Sequence, residues 1–173
     1  MQKVSSPASP ATKSFSAKSP VKSILHVKSV SYANCLFNRI HERNRFFYNA
    51  FIKVYTSSEN PRMAISMFNN MRLLENLVGD EFTYPLVLKA CATEFFVEKG
   101  KEFHGLIIRI VFEADQFLYS SLLSFYSICG EIENARKVFD EFVRKDIVFW
   151  YAMIMCYPRN GMVLEALGVL KTR

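Results

Sequence analysis

From residue 31 onward, a small residue followed four positions later by a large apolar one keeps returning, and this recurrence restricts the fold more than any other feature. It appears as Ala33 with Phe37, Ala64 with Phe68, Ala135 with Phe139 and Ala166 with Leu170, and Gly100-Lys101-Glu102-Phe103-His104 is a variant between them. The steps between the first residues are 31, 36, 35 and 31. A second pattern runs ahead of each pair and in step with it: Asn49 to Tyr55, Ser120 to Tyr126 and Tyr151 to Tyr157, with Pro85 to Cys91 as the divergent copy. Self-similarity at such a period marks a repeat architecture.

Both patterns read as helix, because apolar residues fall at i, i+3 and i+4 and no unit shows strand alternation. Gly130 and Gly161 stand where a first helix would end, and Asn60-Pro61 places a proline near the start of a second. Each unit is therefore expected to be a helix, a tight turn and another helix. The Ala or Gly lets the two helices approach, and the Phe or Leu one turn on fills the gap to the neighbouring unit. A lone hairpin cannot bury both faces, so the units must stack, which predicts an all-α, right-handed solenoid. The period assigns Tyr55, Tyr126 and Tyr157, which recur at equivalent positions of the first helix, to packing.

Charge is unevenly placed. The formal net charge is +6, but residues 1–30 hold five Lys, eight Ser, three Pro and no acidic residue. The remaining 17 basic side chains nearly balance 16 acidic ones, so net charge supports no claim of nucleic-acid binding for the repeats. A Ser-rich, cationic, acid-free segment resembles an organelle transit peptide, and the lack of Arg favours a chloroplast over a mitochondrion; a plain disordered N-terminus is the alternative. The four cysteines form no C-x-x-C pair and lie near no His at zinc-ligand spacing, which predicts buried free thiols in a reducing compartment. No apolar run approaches the roughly 20 residues needed to cross a bilayer. A soluble protein is expected.

The unequal periods differ from the constant step of a tetratricopeptide array, and the W-x-x-L-G-x-x-Y string is absent. Residues 81–104 read Glu-Phe-Thr-Tyr-Pro-Leu-Val-Leu-Lys-Ala-Cys through Lys-Gly-Lys-Glu-Phe-His, like a long motif. Leu122-Leu123-Ser124-Phe125-Tyr126 through Ala135-Arg136-Lys137-Val138-Phe139-Asp140-Glu141 is like a short one, and Ile147-Val148-Phe149-Trp150 opens an ordinary one. Residues 31–173 thus resemble the plant organellar pentatricopeptide repeat family, in the subclass that mixes ordinary, long and short motifs. The resemblance implies a tail (31–44), an ordinary motif (45–80), a long motif (81–115), a short motif (116–146) and a truncated ordinary motif (147–173).

It also implies a partner, single-stranded RNA, read one base per motif by the fifth and last residues of each, as helical-repeat readers contact an unstacked base with two or three side chains. Asn49 with Asp80 is the pair the family associates with uracil, and Ser120 with Asp146 the pair it associates with guanine. Pro85 with Asp115 offers no side-chain donor at the fifth position, so little readout is expected there. Phe46, Phe82, Phe117 and Val148, the second residues, would wedge between bases. Two departures from the pattern stand out: Tyr151 replaces the usual Asn at a fifth position, and motif 45–80 has one extra residue before Asp80.

Nothing in the sequence points to catalysis. A deaminase-like site needs H-x-E with P-C-x-x-C, and none of His26, His41 and His104 begins H-x-E. There is no P-loop, and Glu131 and Glu133 open a helix, where acids complement the dipole. No cofactor, membrane or small-molecule substrate is implied. Two or three base contacts at ~1–3 kcal/mol each give roughly millimolar to micromolar binding once association costs are subtracted, and the chain stops inside its last second helix, like a fragment or a truncated relative. Two functional classes stay open. One is an RNA-binding module in organelle transcript processing, such as C-to-U editing or stabilisation, acting with RNA-editing accessory proteins. The other is a protein-interaction scaffold or a non-functional fragment.

Overall fold

The structure, a computed structural model, describes residues 30–40, 42–110 and 115–171, so the expected transit peptide lies, but for Val30, outside the described residues. Among the described residues every regular element is a helix: α1 (Val30–Arg39), α2 (Arg45–Thr56), α3 (Arg62–Leu73), α4 (Thr83–Thr93), α5 (Val97–Ile110), α6 (Gln116–Cys129), α7 (Ile132–Glu141), α8 (Ile147–Arg159) and α9 (Val163–Lys171). The helices pair as α2–α3, α4–α5, α6–α7 and α8–α9, with α1 on the outer side of α2. The first helices α2, α4, α6 and α8 pack side by side as one layer, each also touching the second helix of the unit before it. This is the expected all-helical solenoid.

The period is written into the helix starts. The carbonyls of Asn44, Asp80, Asp115 and Asp146 accept the first α-type bonds, from the amides of Tyr48, Tyr84, Tyr119 and Trp150. Each of these four side chains also accepts from the backbone amide three residues on, at 2.8–2.9 Å. Asn44, Asp115 and Asp146 are thus the N-caps of α2, α6 and α8, and Asp80 makes the same bond to the first residue of α4 across the turn at Glu81 and Phe82, satisfying donors that a helix start otherwise leaves orphaned. Counting from the cap, the seventh residue is Phe51, Val87, Leu122 or Met153, and all four are buried. The eleventh is Tyr55, Cys91, Tyr126 or Tyr157, also buried, in keeping with the packing role read for the tyrosines.

Turns between first and second helices differ. Gly130 and Gly161 take left-handed conformations (φ 77° and 79°) at the fifteenth position after the cap. In the long unit the same position is Phe95, at φ 54° and largely exposed. An L-residue there carries a steric cost of roughly 1–2 kcal/mol that glycine avoids.

The small residues of the second helices do what their spacing suggests. Ala64 and Ala135 are fully buried, with Phe68 and Phe139 one turn on. Gly100 has a stricter role: a Cβ there would lie 1.9 Å from Cζ of Phe125, so the α6 ring sits in the notch the missing side chain leaves on α5. Polar groups tie neighbouring units as well. The Thr56 hydroxyl reaches the Leu86 carbonyl at 3.2 Å, and the Asn160 amide donates to the Ser127 carbonyl at 3.1 Å.

The thiols depart from expectation in part. Cys91 and Cys156 are buried and free, but Cys35 is exposed and Cys129 half-buried. Burial pushes the Cys91 thiol up to about 12, which keeps it inert.

Candidate functional site

The first-helix layer presents one repeated edge. Phe46, Phe82, Phe117 and Val148 occupy the second position after the four caps and are 60–64% exposed. Their chain neighbours Phe47, Thr83, Leu118 and Phe149 are at most 3% exposed. A large apolar side chain left in solvent once per unit, directly before a buried one, is not explained by core packing. Three positions further along each helix, one turn on and on the same face, come Asn49, Pro85, Ser120 and Tyr151. The expected base-sandwiching and base-reading residues therefore share one face.

The pairs are not equivalent. Asn49 and Asp80, 31 residues apart, are hydrogen-bonded: the Asn49 Nδ2 donates to Asp80 Oδ1 at 3.1 Å. The same oxygen accepts from the backbone amides of Phe82 (3.1 Å) and Thr83 (2.9 Å). The Thr83 hydroxyl lies 2.7 Å from both Asn49 Oδ1 and Asp80 Oδ1, and it accepts from the Asp80 amide at 3.1 Å. The cap and the residue three along thus satisfy one another, as in a capping box with Thr in place of Glu. Burial alone would raise the Asp80 pKa, but hydrogen bonds from Thr83, Asn49 and the Thr83 and Phe82 amides outweigh it and hold the carboxyl below its ordinary value. Arg45, itself half exposed, stands 3.8 Å from Asp80 Oδ2.

Ser120 and Asp146 are brought to the same edge without a hydrogen bond between them; instead Gln116 Nε2 donates to Asp146 Oδ2. Asp146 Oδ1 is used in capping, accepting from the Phe149 amide at 2.8 Å. In the long unit, Pro85 has no donor to offer and Asp115 caps α6 through Leu118 N at 2.9 Å. Tyr151, the departure at the fourth fifth-position, is 62% exposed.

The capping role of these acids was missed in reading the sequence. The available signal was an Asn or Asp at each repeat step, one residue before α2, α6 and α8 and three before α4. Charge is also segregated in a way that net charge concealed. Within α2, α4, α6 and α8 the only charged residues are Arg45, Lys53, Lys89 and Arg159, so these helices hold no carboxylate. Acids sit instead at the caps and on second helices such as α5 and α7. Among the described residues, no cluster of three or more His, Cys, Asp or Glu is placed to hold a metal, and no helix is long and apolar enough to cross a membrane.

Known proteins resemble this chain in sequence and in fold. The family model described as PPR repeat matches residues 46–74, 117–147 and 148–172. A pentatricopeptide repeat-containing protein of Arabidopsis thaliana, named as mitochondrial, is 37% identical over 142 residues, which cover 82% of this chain and 20% of that protein. A second from the same plant is 36% identical over 143 residues, covering 82% of this chain and 17% of its own length. The chain spans about a fifth of the length of the curated relatives it matches. The crystal structure of the pentatricopeptide repeat protein PPR10 from maize is similar with a TM-score of 0.71 at 20% identity, over 88% of this chain and 23% of that one. At that identity the likeness speaks for the fold. The chain belongs to the pentatricopeptide repeat family.

Proposed function

We propose that the chain binds single-stranded RNA along the edge formed by its first helices, within a plant organelle, and that it performs no catalysis of its own. The observation that carries this reading is the exposed row Phe46, Phe82, Phe117 and Val148, set one turn from Asn49, Pro85, Ser120 and Tyr151. An apolar wedge in every repeat, beside a polar reader in all but the Pro85 unit, is what unstacked bases need: a surface to stack on and a hydrogen-bonding edge. The absence of carboxylates from the first helices, whose charged residues are Arg45, Lys53, Lys89 and Arg159, leaves a phosphate-compatible surface.

On this reading each motif addresses one base. Asn49 with Asp80 takes uracil and Ser120 with Asp146 takes guanine. Pro85 with Asp115 gives little readout, because proline has no side-chain donor or acceptor. The long–short alternation of the motifs supports the subclass of mixed motifs. Its role is to position other factors on organellar transcripts, for C-to-U editing or for stabilisation. The name of one relative marks it as mitochondrial, and the Arg-free first thirty residues keep a chloroplast as the destination to test beside it. A fluorescent fusion of the chain, scored against both organelles, distinguishes them.

The binding test is a titration of the chain against short single-stranded RNAs at low salt. A U-x-G core should bind more tightly than one with both bases changed. Binding that ignores sequence and vanishes with salt would reduce the interaction to phosphate attraction. No binding to any RNA, by a chain with a folded helical spectrum, would move the function to a protein-interaction scaffold.

A further inference from the structure

We propose that Thr83, contributed by the following repeat, is a specificity-determining positioning residue that fixes Asn49 as a hydrogen-bond donor and so sets the first unit for uracil over cytosine. This rests on Asn49 and Asp80 forming a base-reading pair.

The argument begins with the ambidexterity of an amide. Asn presents a carbonyl on one side and an NH2 on the other, and rotating χ2 by half a turn exchanges them. A free Asn could accept from the exocyclic amino group of cytosine as readily as donate to the keto oxygen of uracil. Asn49 is held from both sides. Its Nδ2 faces Asp80 Oδ1 at 3.1 Å, an ionised acceptor that would repel a carbonyl. Its Oδ1 faces the Thr83 hydroxyl at 2.7 Å. That hydroxyl already accepts from the Asp80 amide, and its single proton is shared between Asn49 Oδ1 and Asp80 Oδ1, each at 2.7 Å, so the amide oxygen of Asn49 is kept on the side of that donor. Thr83 is fully buried, so water does not compete for these bonds.

With both anchors in place, one Nδ2 hydrogen of Asn49 and Oδ2 of Asp80 remain for a base. A donor beside an acceptor matches the keto oxygen and ring N–H of uracil. Cytosine presents a ring acceptor and an amino donor in the same places and meets both with the wrong sign. Arg45, 3.8 Å from Oδ2 and half exposed, can swing aside. The other units lack this anchor: the residues equivalent to Thr83 are Leu118 and Phe149, which carry no hydroxyl.

The test compares wild type, Thr83→Val, Thr83→Ser and Asn49→Ala, each as the full chain, against U-x-G and C-x-G RNAs. The quantity read is the ratio of the two affinities. Losing one oriented hydrogen bond should lower the U-over-C ratio by about tenfold. Thr83→Val should therefore bring it to near unity while affinity for C-x-G holds, and Thr83→Ser should keep the wild-type ratio. A loss of affinity for both RNAs at an unchanged ratio would assign Thr83 to helix capping alone and overturn the proposal. If Asn49→Ala abolishes the ratio and Thr83→Val does not, this inference fails and the base-reading pair stands. If neither changes it, or wild type shows no ratio, both fail. A readout without RNA covers a Thr83→Val chain that does not fold. In the free wild-type and Thr83→Ser chains, the NMR signals of the two Asn49 side-chain amide protons should be shifted from the positions of a solvated Asn and protected from exchange with water. Shifts and exchange rates like those of a solvated Asn would overturn the anchoring.

Discussion

The first and third repeats place a candidate reading pair on the same edge, and they build it by different means. Asn49 and Asp80 bond to each other and to Thr83, so the amide orientation and the carboxylate position are set before any ligand arrives. Ser120 has no such anchor, and Asp146 is shared between its helix cap and Gln116. The cause is the residue three after the cap, a buried threonine in one case and the buried Phe149 in the other. The first unit spends its polar groups on a fixed pattern, and the third spends its interior on packing. One repeat scaffold can thus carry a preset reader and an adaptable one, chosen by a single interior position.

The largest effect expected from testing this contrast comes from the unit that separates the two pairs. Gly100→Ala drives a Cβ into Phe125, and overpacking of this kind costs about 1–3 kcal/mol. Thermal unfolding should show the loss, and Phe125→Leu in the same chain should recover part of it, because the ring atoms that clash are the ones removed. Full cost in the double variant would mean that the notch is not what spaces the pairs.

Next come the caps. Asp80→Ala removes an acceptor shared by two backbone amides and Asn49, and Asp146→Ala one that holds a single backbone amide and the Gln116 side chain. Losing an N-cap costs about 0.5–2 kcal/mol, and Asp80 should fall at the upper end and Asp146 lower. Equal losses in denaturant titration would erase the difference argued between the pairs. The pH dependence follows from the same bonds. A carboxyl whose folded pKa lies below its unfolded value gives stability that is present above the ordinary carboxylate range, about pH 4. That contribution is lost as pH falls through the lower folded value, so acid unfolding should show a component that Asp80→Asn removes.

Smaller effects sharpen the comparison further. Ser120→Asn should shift the base preferred by the third unit from G toward U. Its U-over-C ratio should stay below that of the first unit, since Phe149 cannot anchor the new amide; competition binding reads both ratios. Phe95→Gly, which relieves the left-handed residue of the long unit, should raise stability by up to about 1 kcal/mol. Arg45→Ala should change stability by well under about 1 kcal/mol, because Arg45 is half exposed and its contact with Asp80 is long at 3.8 Å.

Much of this was legible from the spacing of a few residues. Ala64, Gly100, Ala135 and Ala166 set the register, and Gly130 and Gly161 marked two turns. The buried tyrosines Tyr55, Tyr126 and Tyr157 followed from the same period. What stayed hidden depends on side chains meeting across repeats. Thr83 lies in the motif after the one it serves, 34 residues from Asn49. The need for glycine at 100 depends on the ring at 125, not on the local pattern. Nothing in a phenylalanine announces a positive φ, so Phe95 could not be read as a turn residue. Net charge concealed the cation-only first helices, because the acids that balance it lie on other faces and at the caps.

The central claim, that the first and third repeats each read one base, is tested most directly by pairing variants with bases. Wild type, Asn49→Ala and Ser120→Ala would be titrated against U-x-G and against RNAs with only the first or only the last base changed. Asn49→Ala should become indifferent to the first base while still preferring G at the last, and Ser120→Ala should do the reverse. Variants that lose affinity equally for all three RNAs, or chains that never distinguish them, would contradict the account.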